Sequence, residues 1–507
     1  MKKSGQAAKG LLIAFYAVLS VTLFLVIVVS IGHPLNNLFP WQMAVGSVTL
    51  AGVFLLLMKY RNKIPKIPVW GYIIFLILFG TGLFVICILH GNHYHFAGDY
   101  EIFYISATEA AEGRQLSYDL YFRTYGNNTI PMLLLSAVIK IAGVTGIDEY
   151  YLLLPISIGL VLSATWAIGY LLDLRGLGKF RVPAAVVMAA CLPVYVFTNT
   201  FYTDTMTFGI GITATALLVL SYRAKKAGVV YAVLASVLVI WGANWKITCI
   251  IPLIALACVE LADSLLKGHA AIKGRNVFIA NRNFLIFAAC AVILQTILFI
   301  AVSQTEIYKL SKRDANPVTT WIAMGMMNDG SYSENVAFSD TVNTGFDTKE
   351  QKAEFVKQTM KEHIGEAFSF GHISAKIRRN FASGTFSASD YTVADGHGSL
   401  FYNLLDPGGA HYWRACQYCF IYIFAIYLVM LYTGILILIG LIGKKETDVF
   451  QIVPKSKLLA DVAFFGLFLF LLIWEANNRQ LYNALPVLIL ALFGYFTSEG
   501  KKSTEKE

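Results

Sequence analysis

Twelve apolar stretches, each close to the length needed to cross a bilayer, recur along this chain near residues 11–32, 42–58, 69–90, 148–173, 182–200, 205–222, 228–245, 247–263, 284–303, 413–442, 458–475 and 480–497. About 20 residues of helix span the hydrocarbon core, and only a helix satisfies its own backbone there. The expected fold is therefore an all-α polytopic membrane protein of about 12 transmembrane helices with two large outer-face segments. Composition agrees: 57% of residues are hydrophobic and 14% charged, where a soluble globule carries about a quarter charged. The first apolar run, after Met1-Lys2-Lys3, is too long for a removable leader and lacks a cleavage site. It is read as its own targeting signal.

Basic residues orient the spans. Lys59, Arg61, Lys63 and Lys66 separate the second and third, Arg175, Lys179 and Arg181 the fourth and fifth, and Arg223, Lys225 and Lys226 the sixth and seventh. Lys267, Lys273, Arg275 and Arg282 precede the ninth, Lys444, Lys445, Lys455 and Lys457 follow the tenth, and Lys501 and Lys502 close the chain. The positive-inside rule then places both termini in the cytoplasm and the chain in the cell membrane. The net charge of +9 is accounted for by these links and by contact with anionic membrane lipid, so no nucleic-acid partner is expected. The apolar piece from Pro131 to Gly146 breaks the alternation if counted as a span, and is expected along the outer interface.

This topology divides the chain into an N-terminal transmembrane module (1–303) holding an outer loop at 91–147, an outer segment at 304–412, and a C-terminal transmembrane module (413–507). Cytoplasmic links are far below domain size, so function faces outward. Within the second outer segment a helix is expected from Asp347 to Gly371, capped by Asp347 or Thr348, with Phe355, Met360, Ile364 and Phe368 as an apolar stripe. The seven cysteines fall in or beside apolar segments without paired spacing, and are expected as free, buried thiols.

Absences narrow the chemistry. There is no phosphate loop, no Gly-x-Gly-x-x-Gly and no His-Glu-x-x-His. If the chain is an enzyme, the lack of a cytoplasmic domain for a nucleotide or nucleotide sugar sends its activated substrate to the outer leaflet by another route, for which a lipid-linked substrate is the obvious choice. Charges at a membrane boundary are costly unless paired or hydrated, which makes them functional candidates. Asp99 follows the third span, Asp204 begins the sixth, Lys246 lies between the seventh and eighth, and Glu475 and Arg479 lie between the last two. Three carboxylates and two cations at one membrane level suit a phosphate-bearing lipid and a hydroxyl acceptor.

The acid in the first large outer loop, Gly98-Asp99-Tyr100-Glu101-Ile102-Phe103-Tyr104, is followed by Tyr121-Phe122-Arg123-Thr124-Tyr125-Gly126-Asn127-Asn128 and an interfacial helix. With Tyr202-Thr203-Asp204, Glu475 through Arg479, and Trp321-Ile322-Ala323-Met324-Gly325, this pattern resembles the GT-C membrane glycosyltransferases, which include protein O-mannosyltransferases, the lipid A aminoarabinose transferase and cell-wall enzymes of bacteria. The resemblance implies a polyprenyl-phosphate-linked sugar as donor and a cell-envelope glycan, lipid or protein as acceptor. It makes Asp99 the general base and Asp204 a second catalytic residue that orients the sugar or helps hold a divalent cation, Mg or Mn, together with Asp99. Lys246, Arg479 and Arg414 are expected on the donor phosphate, and Tyr100, Glu101, Tyr125, Asn128 and Glu475 on substrate. His93 and His95 offer further metal ligands, and Asn128 a cap for the interfacial helix. Lys376, Arg378 and Arg379 form a basic cluster suited to an anionic acceptor polymer or lipid headgroups.

Two competing readings stay open. A transporter or lipid flippase predicts ionisable residues near the membrane midplane and helices broken by Gly or Pro around a substrate. An O-antigen-type polymerase or ligase shares the lipid-linked donor and expects Arg-rich outer loops.

Overall fold

The computed structural model describes residues 2–32, 39–90, 98–174, 176–224, 226–267, 282–391, 399–443 and 449–495, all helix, turn or connecting segment. His93, His95, Arg175, Lys225, Lys273, Arg275, Lys444, Lys445, Lys501 and Lys502 lie outside the described residues. The first half holds α1 (Lys2–Gly32), α2 (Pro40–Lys59), α3 (Val69–His90), α4 (Asp99–Ala111), α5 (Asp119–Thr124), α6 (Thr129–Thr145), α7 (Glu149–Asp173), α8 (Arg181–Ala189), α9 (Leu192–Thr198), α10 (Ile210–Arg223) and α11 (Gly228–Trp245). Then come α12 (Ile251–Lys267), α13 (Arg282–Ser303), α14 (Glu306–Asp314), α15 (Thr319–Met326), α16 (Val336–Thr344), α17 (Lys349–Ala367), α18 (Phe370–Phe381) and α19 (Leu400–Leu405). The chain ends with α20 (Tyr412–Gly443), α21 (Val449–Ile452), α22 (Lys455–Ile473) and α23 (Leu485–Phe493).

Among the described residues, 10 helices are long and apolar enough to cross a membrane, and the pair α8 and α9, bent by 70°, raises this to 11. The chain is an all-helical polytopic membrane protein. Two of the expected spans are shorter than a bilayer. Residues 203–209 form turns, so α10 has only 14 residues, roughly 21 Å of helix. The last expected span is a 3-10 turn, Asn478–Ala484, followed by the 9-residue α23. Every residue of α23 and most of α10 are buried in protein. A helix enclosed by its neighbours can be short, because protein groups rather than lipid surround its ends. Gly209 opens α10 with φ +65, and a Cβ there would overlap the Cβ of Ala164 on α7; both backbone and space require glycine. At the opposite extreme, the spanning stretch of α13 is only 6% buried, leaving Leu285, Val292, Ile293, Ile297 and Ile300 to lipid.

Contacts sort the helix ends into two sets. At one end Lys179 Nζ donates to the Arg61 carbonyl at 2.7 Å, Arg181 pairs with Asp173, and Lys455 pairs with Asp263 at 2.6 Å and Glu260 at 3.3 Å. The basic links thus gather together. At the other end the Tyr150 hydroxyl, in the first turn of α7, bonds Asn199 Oδ1 at 2.6 Å and the Cys87 carbonyl at 3.2 Å. Deeper along the same helices, the Tyr72 hydroxyl donates to the Thr165 carbonyl at 2.7 Å. So α3 and α7 run antiparallel in register, and the intervening segment leaves and rejoins the bundle at one level. The α6 region, Gly126–Thr145, is itself long and apolar enough to cross a membrane, yet it packs on α4 inside that segment.

The break between α8 and α9 is closed by tyrosines. The carbonyls of Val187, Ala189 and Ala190 accept from the hydroxyls of Tyr422 at 2.8 Å, Tyr195 at 2.8 Å and Tyr418 at 2.6 Å. A helix interrupted in a membrane has to re-satisfy its freed backbone groups, and here side chains do so.

Residues 304–391 and 399–405 fold as α14 to α19 over the end away from the basic links. Of the two expected caps of α17 it is Thr348 that serves, and with Gln351 it forms a capping box. The apolar stripe is only half used: Phe355 and Met360 pack around Ala323, Val342 and Val356, while Ile364 and Phe368 are exposed. Arg123 of α5 pairs with Asp314 of α14 at 2.7 Å, and the Asn316 amide donates to the Thr124 carbonyl at 2.9 Å, joining the two large loop segments. All seven cysteines are free, but Cys258 is exposed and Cys290 partly so, contrary to uniformly buried thiols.

Candidate functional site

A cavity of about 920 Å³ opens where these loop segments meet the helix ends, opposite the basic links. The charged groups singled out above reach it from four distant parts of the chain. Asp99, in the first turn of α4, brings one carboxylate; the turn before α10 brings Asp204; Lys246 caps the end of α11; and the turn after α22 brings Glu475 and Arg479. Tyr125 and Asn128 also line it. The size suits a ligand of several hundred daltons.

The charges divide into paired and unpaired. Asp204, with 3% of its side chain exposed, is bound by Lys246, and the Tyr391 hydroxyl approaches its second oxygen at 3.5 Å. Arg479 Nη1 donates to the Tyr391 hydroxyl at 2.6 Å and Nε to Asn477 Oδ1 at 3.3 Å. Lys246, Asp204, Tyr391 and Arg479 therefore form one continuous polar chain across the cavity floor. A guanidinium has five N–H donors, so Arg479 keeps others for a ligand. Asp99 is exposed and Glu475 half-buried, and neither makes a hydrogen bond or ion pair with a described residue. Burial pushes the Glu475 carboxyl up to about 7; Asp99 adds to this, and Arg479, Lys246 and Lys376 oppose it. Burial likewise raises Asp390, against the pull of Arg479.

Several expectations are corrected here. Arg414 is exposed and does not line the cavity, since it begins α20 on the outer surface of the bundle. Glu101 points away for a helical reason: two residues beyond Asp99 on α4 lies on another face. Tyr100 is buried behind the wall, its hydroxyl on the backbone of Phe201 and its ring near Tyr104 and Tyr202. Asn128 does not cap α6 with its side chain; its Nδ2 donates to the Tyr121 hydroxyl at 2.9 Å. Asp204 does not begin a span but sits in a buried turn. The basic cluster splits: Arg378 is exposed, Arg379 lines the cavity beside Asp329, and Lys376 is fully buried, donating to the carbonyls of Gly325 at 2.8 Å and Trp474 at 2.6 Å. Burial lowers the Lys376 ammonium to about 7.

Two of the candidate metal ligands, His93 and His95, lie outside the described residues. Asp204 is already neutralised by Lys246, and among the described residues no three His, Cys, Asp or Glu side chains converge as ligands.

Sequence reasoning missed one whole wall. Ser383, Thr385, Ser387, Ser389 and Asp390, with Tyr391 next in the chain, fold over the Trp474–Gln480 turn, tied by Ser387 Oγ to Asn478 Oδ1 at 2.6 Å. Phe386 and Ser387 both adopt φ +54, a strained pair for non-glycine residues of the kind that collects at functional sites. A Ser/Thr-rich stretch ending in Asp-Tyr inside a long loop was the available signal. Aromatic faces complete the site: Trp321 stacks on Trp474 with centroids 6.1 Å apart and planes 4° apart, and Tyr125 flanks Trp321. Gly325 lets α15 approach that closely, because a Cβ there would meet the Trp474 carbonyl at 2.6 Å.

A family model described as conserved hypothetical integral membrane protein matches residues 40–499. The chain belongs to that family. The matched stretch contains every cavity residue named above, and excludes α1. No curated protein and no solved structure matches.

Proposed function

We propose that this protein is a membrane glycosyltransferase that moves a sugar from a polyprenyl-phosphate donor to a cell-envelope acceptor at the outer face of the cell membrane, in the manner of the GT-C enzymes it resembles. The observation that carries this reading is the convergence of Asp99, Asp204, Lys246, Glu475 and Arg479 on one cavity walled by stacked tryptophans. Aromatic faces suit a sugar ring. Arg479 and Arg379 suit a phosphate.

In the reaction, Asp99 takes the proton of the acceptor hydroxyl as its oxygen attacks the anomeric carbon. It is exposed and makes no hydrogen bond or ion pair with a described residue, which leaves it free to do so. Asp204 acts through its pairing with Lys246, which holds Tyr391 and Arg479 in line toward the departing phosphate. No step runs through a metal.

The deciding experiment is transfer by the purified, reconstituted protein from labelled polyprenyl-phosphate sugars. Asp99→Asn is expected to lose turnover by about 10²- to 10⁴-fold with donor affinity retained, whereas Arg479→Ala weakens donor binding as well. Arg414→Ala and Glu101→Gln, outside the cavity, serve as controls that leave both unchanged. Absence of transfer from every lipid-linked donor by wild type overturns the enzyme reading.

Two features speak for a transporter or flippase instead: the bent α8–α9 pair, and a fully buried ion pair inside α22, Lys457 to Asp461 at 2.6 Å, joined by the Tyr16 hydroxyl at 3.1 Å. Both are closed by protein partners. Asp99 and Glu475, which make no hydrogen bond or ion pair with a described residue, lie at one end, in the cavity, which favours an enzyme.

A further inference from the structure

Glu475 occupies an unusual position for a carboxylate surrounded by cations. Lys246 is taken by Asp204, Arg479 reaches Tyr391 and Asn477, and Lys376 donates to the Gly325 and Trp474 carbonyls. None of them bonds Glu475, which lines the same cavity as Arg479, feels its charge, and follows Trp474, whose carbonyl Lys376 anchors. A phosphate drawn in by Arg479 would meet this carboxyl at close range. Two anions cannot share that space without a proton between them.

Resting on the glycosyl-transfer reading, we infer that Glu475 meets the donor phosphate as a neutral carboxylic acid, donating its hydrogen bond, and then its proton, to the oxygen that becomes anionic as the glycosidic bond breaks. The bookkeeping of the step closes. The acceptor oxygen bonds the anomeric carbon while the bond from that carbon to the phosphate oxygen breaks, its electron pair staying on oxygen. The hydroxyl proton passes to Asp99 and the carboxyl proton of Glu475 to the phosphate, so a singly charged diester leaves as a singly charged monoester.

The chemistry is matched. A phosphate monoester takes its second proton near pH 6, and burial already holds Glu475 at about 7. Their closeness favours a shared proton over a separated pair of charges. The groups facing Glu475 from every side are Arg479 on its own turn, Asp99 on α4, Lys246 before α12 and Lys376 on α18. Of these Lys376 also titrates near neutrality, so the test compares variants rather than reading one pH profile.

The probe is a synthetic isoprenyl methyl phosphodiester, which keeps one negative charge from pH 5 to 9 and has no anomeric carbon. Its binding to the purified full chain is followed by quenching of the cavity tryptophans, and its proton uptake by calorimetry in buffers of different ionisation enthalpy. For wild type, affinity is expected to fall above pH 7, with net proton uptake on binding at pH 8. Glu475→Gln keeps the shape and a donor but not the titration. It is expected to bind as tightly as wild type at pH 6, to take up about one proton fewer at pH 8, and to lose about tenfold less affinity per pH unit than wild type. Equal proton uptake by wild type and Glu475→Gln overturns the assignment while leaving the lipid-linked donor in place. Failure of wild type to bind the phosphodiester at any pH overturns the donor reading, and this inference with it. The calorimetric arm on wild type alone stays decisive if the variant does not fold: no proton uptake at pH 8 rejects the proposal.

Discussion

Removing the ammonium of Lys246 would leave Asp204 as a carboxylate with 3% of its side chain exposed. An uncompensated buried charge typically costs about 3–5 kcal/mol, so Lys246→Ala should lower the midpoint of thermal unfolding in detergent as well as impair binding. The double variant Lys246→Met with Asp204→Leu removes both charges, and should recover most of the stability while staying inactive. Equal destabilisation of single and double variants would show that packing rather than charge holds this floor together. The same residue scale explains which site residues were legible. Asp99, Asp204, Lys246, Glu475 and Arg479 stand out as ionisable groups at the ends of apolar runs, where solvation is expensive. The pairing of Lys246 with Asp204, 42 residues apart, was not legible, because no local spacing encodes it. It turned an expected free cation into half of an ion pair.

At the scale of elements, the bent α8–α9 pair depends on side chains supplied by other helices. The hydroxyls of Tyr418 and Tyr422 come from α20 and reach the Ala190 and Val187 carbonyls. Tyr422 is buried, and deleting its hydroxyl leaves an acceptor without water or partner, a loss of about 1–3 kcal/mol. Tyr422→Phe should therefore reduce thermal stability measurably, and more than Tyr432→Phe, whose side chain is exposed. Equal effects would mean that the bend is held by packing alone. Other elements needed no such partners. The capping box of α17 was readable from Thr348 and Gln351, since it depends on residues three apart. The shortened α10 and α23 were not, because an apolar run reads alike whether it ends in a helix, a turn or a 3-10 segment.

On the scale of the whole molecule, the paired ends of α3 and α7 and the gathering of basic links at the opposite end make a definite topological claim: residues 99–147, 304–391 and 399–412 share one side, away from Arg61, Lys179 and Lys455. Under the outward orientation proposed, a membrane-impermeant thiol reagent added to intact cells should label Glu112→Cys and Glu350→Cys but not Lys63→Cys, all at exposed positions, in a Cys258→Ala background. Labelling of Lys63→Cys alone would invert the orientation, and labelling of only one of the two loop positions would break the topology itself.

The sequence by itself determined that this chain lives in a bilayer as helices, that the links holding Arg61, Lys179 and Lys455 share one end, and that a handful of acids and cations lie at span boundaries. Those properties follow from transfer of apolar and charged groups between water and lipid, which each segment experiences alone. Only the tertiary structure decided that Asp99, Lys246 and Glu475 share a cavity, that Arg414 and Glu101 do not, and that Ser383–Tyr391 forms a wall of it. Which surfaces meet is set by packing among segments hundreds of residues apart, and no local pattern carries that information. That Glu475 bonds no described cation belongs to the same class, since Lys246, Arg479 and Lys376 are each engaged elsewhere.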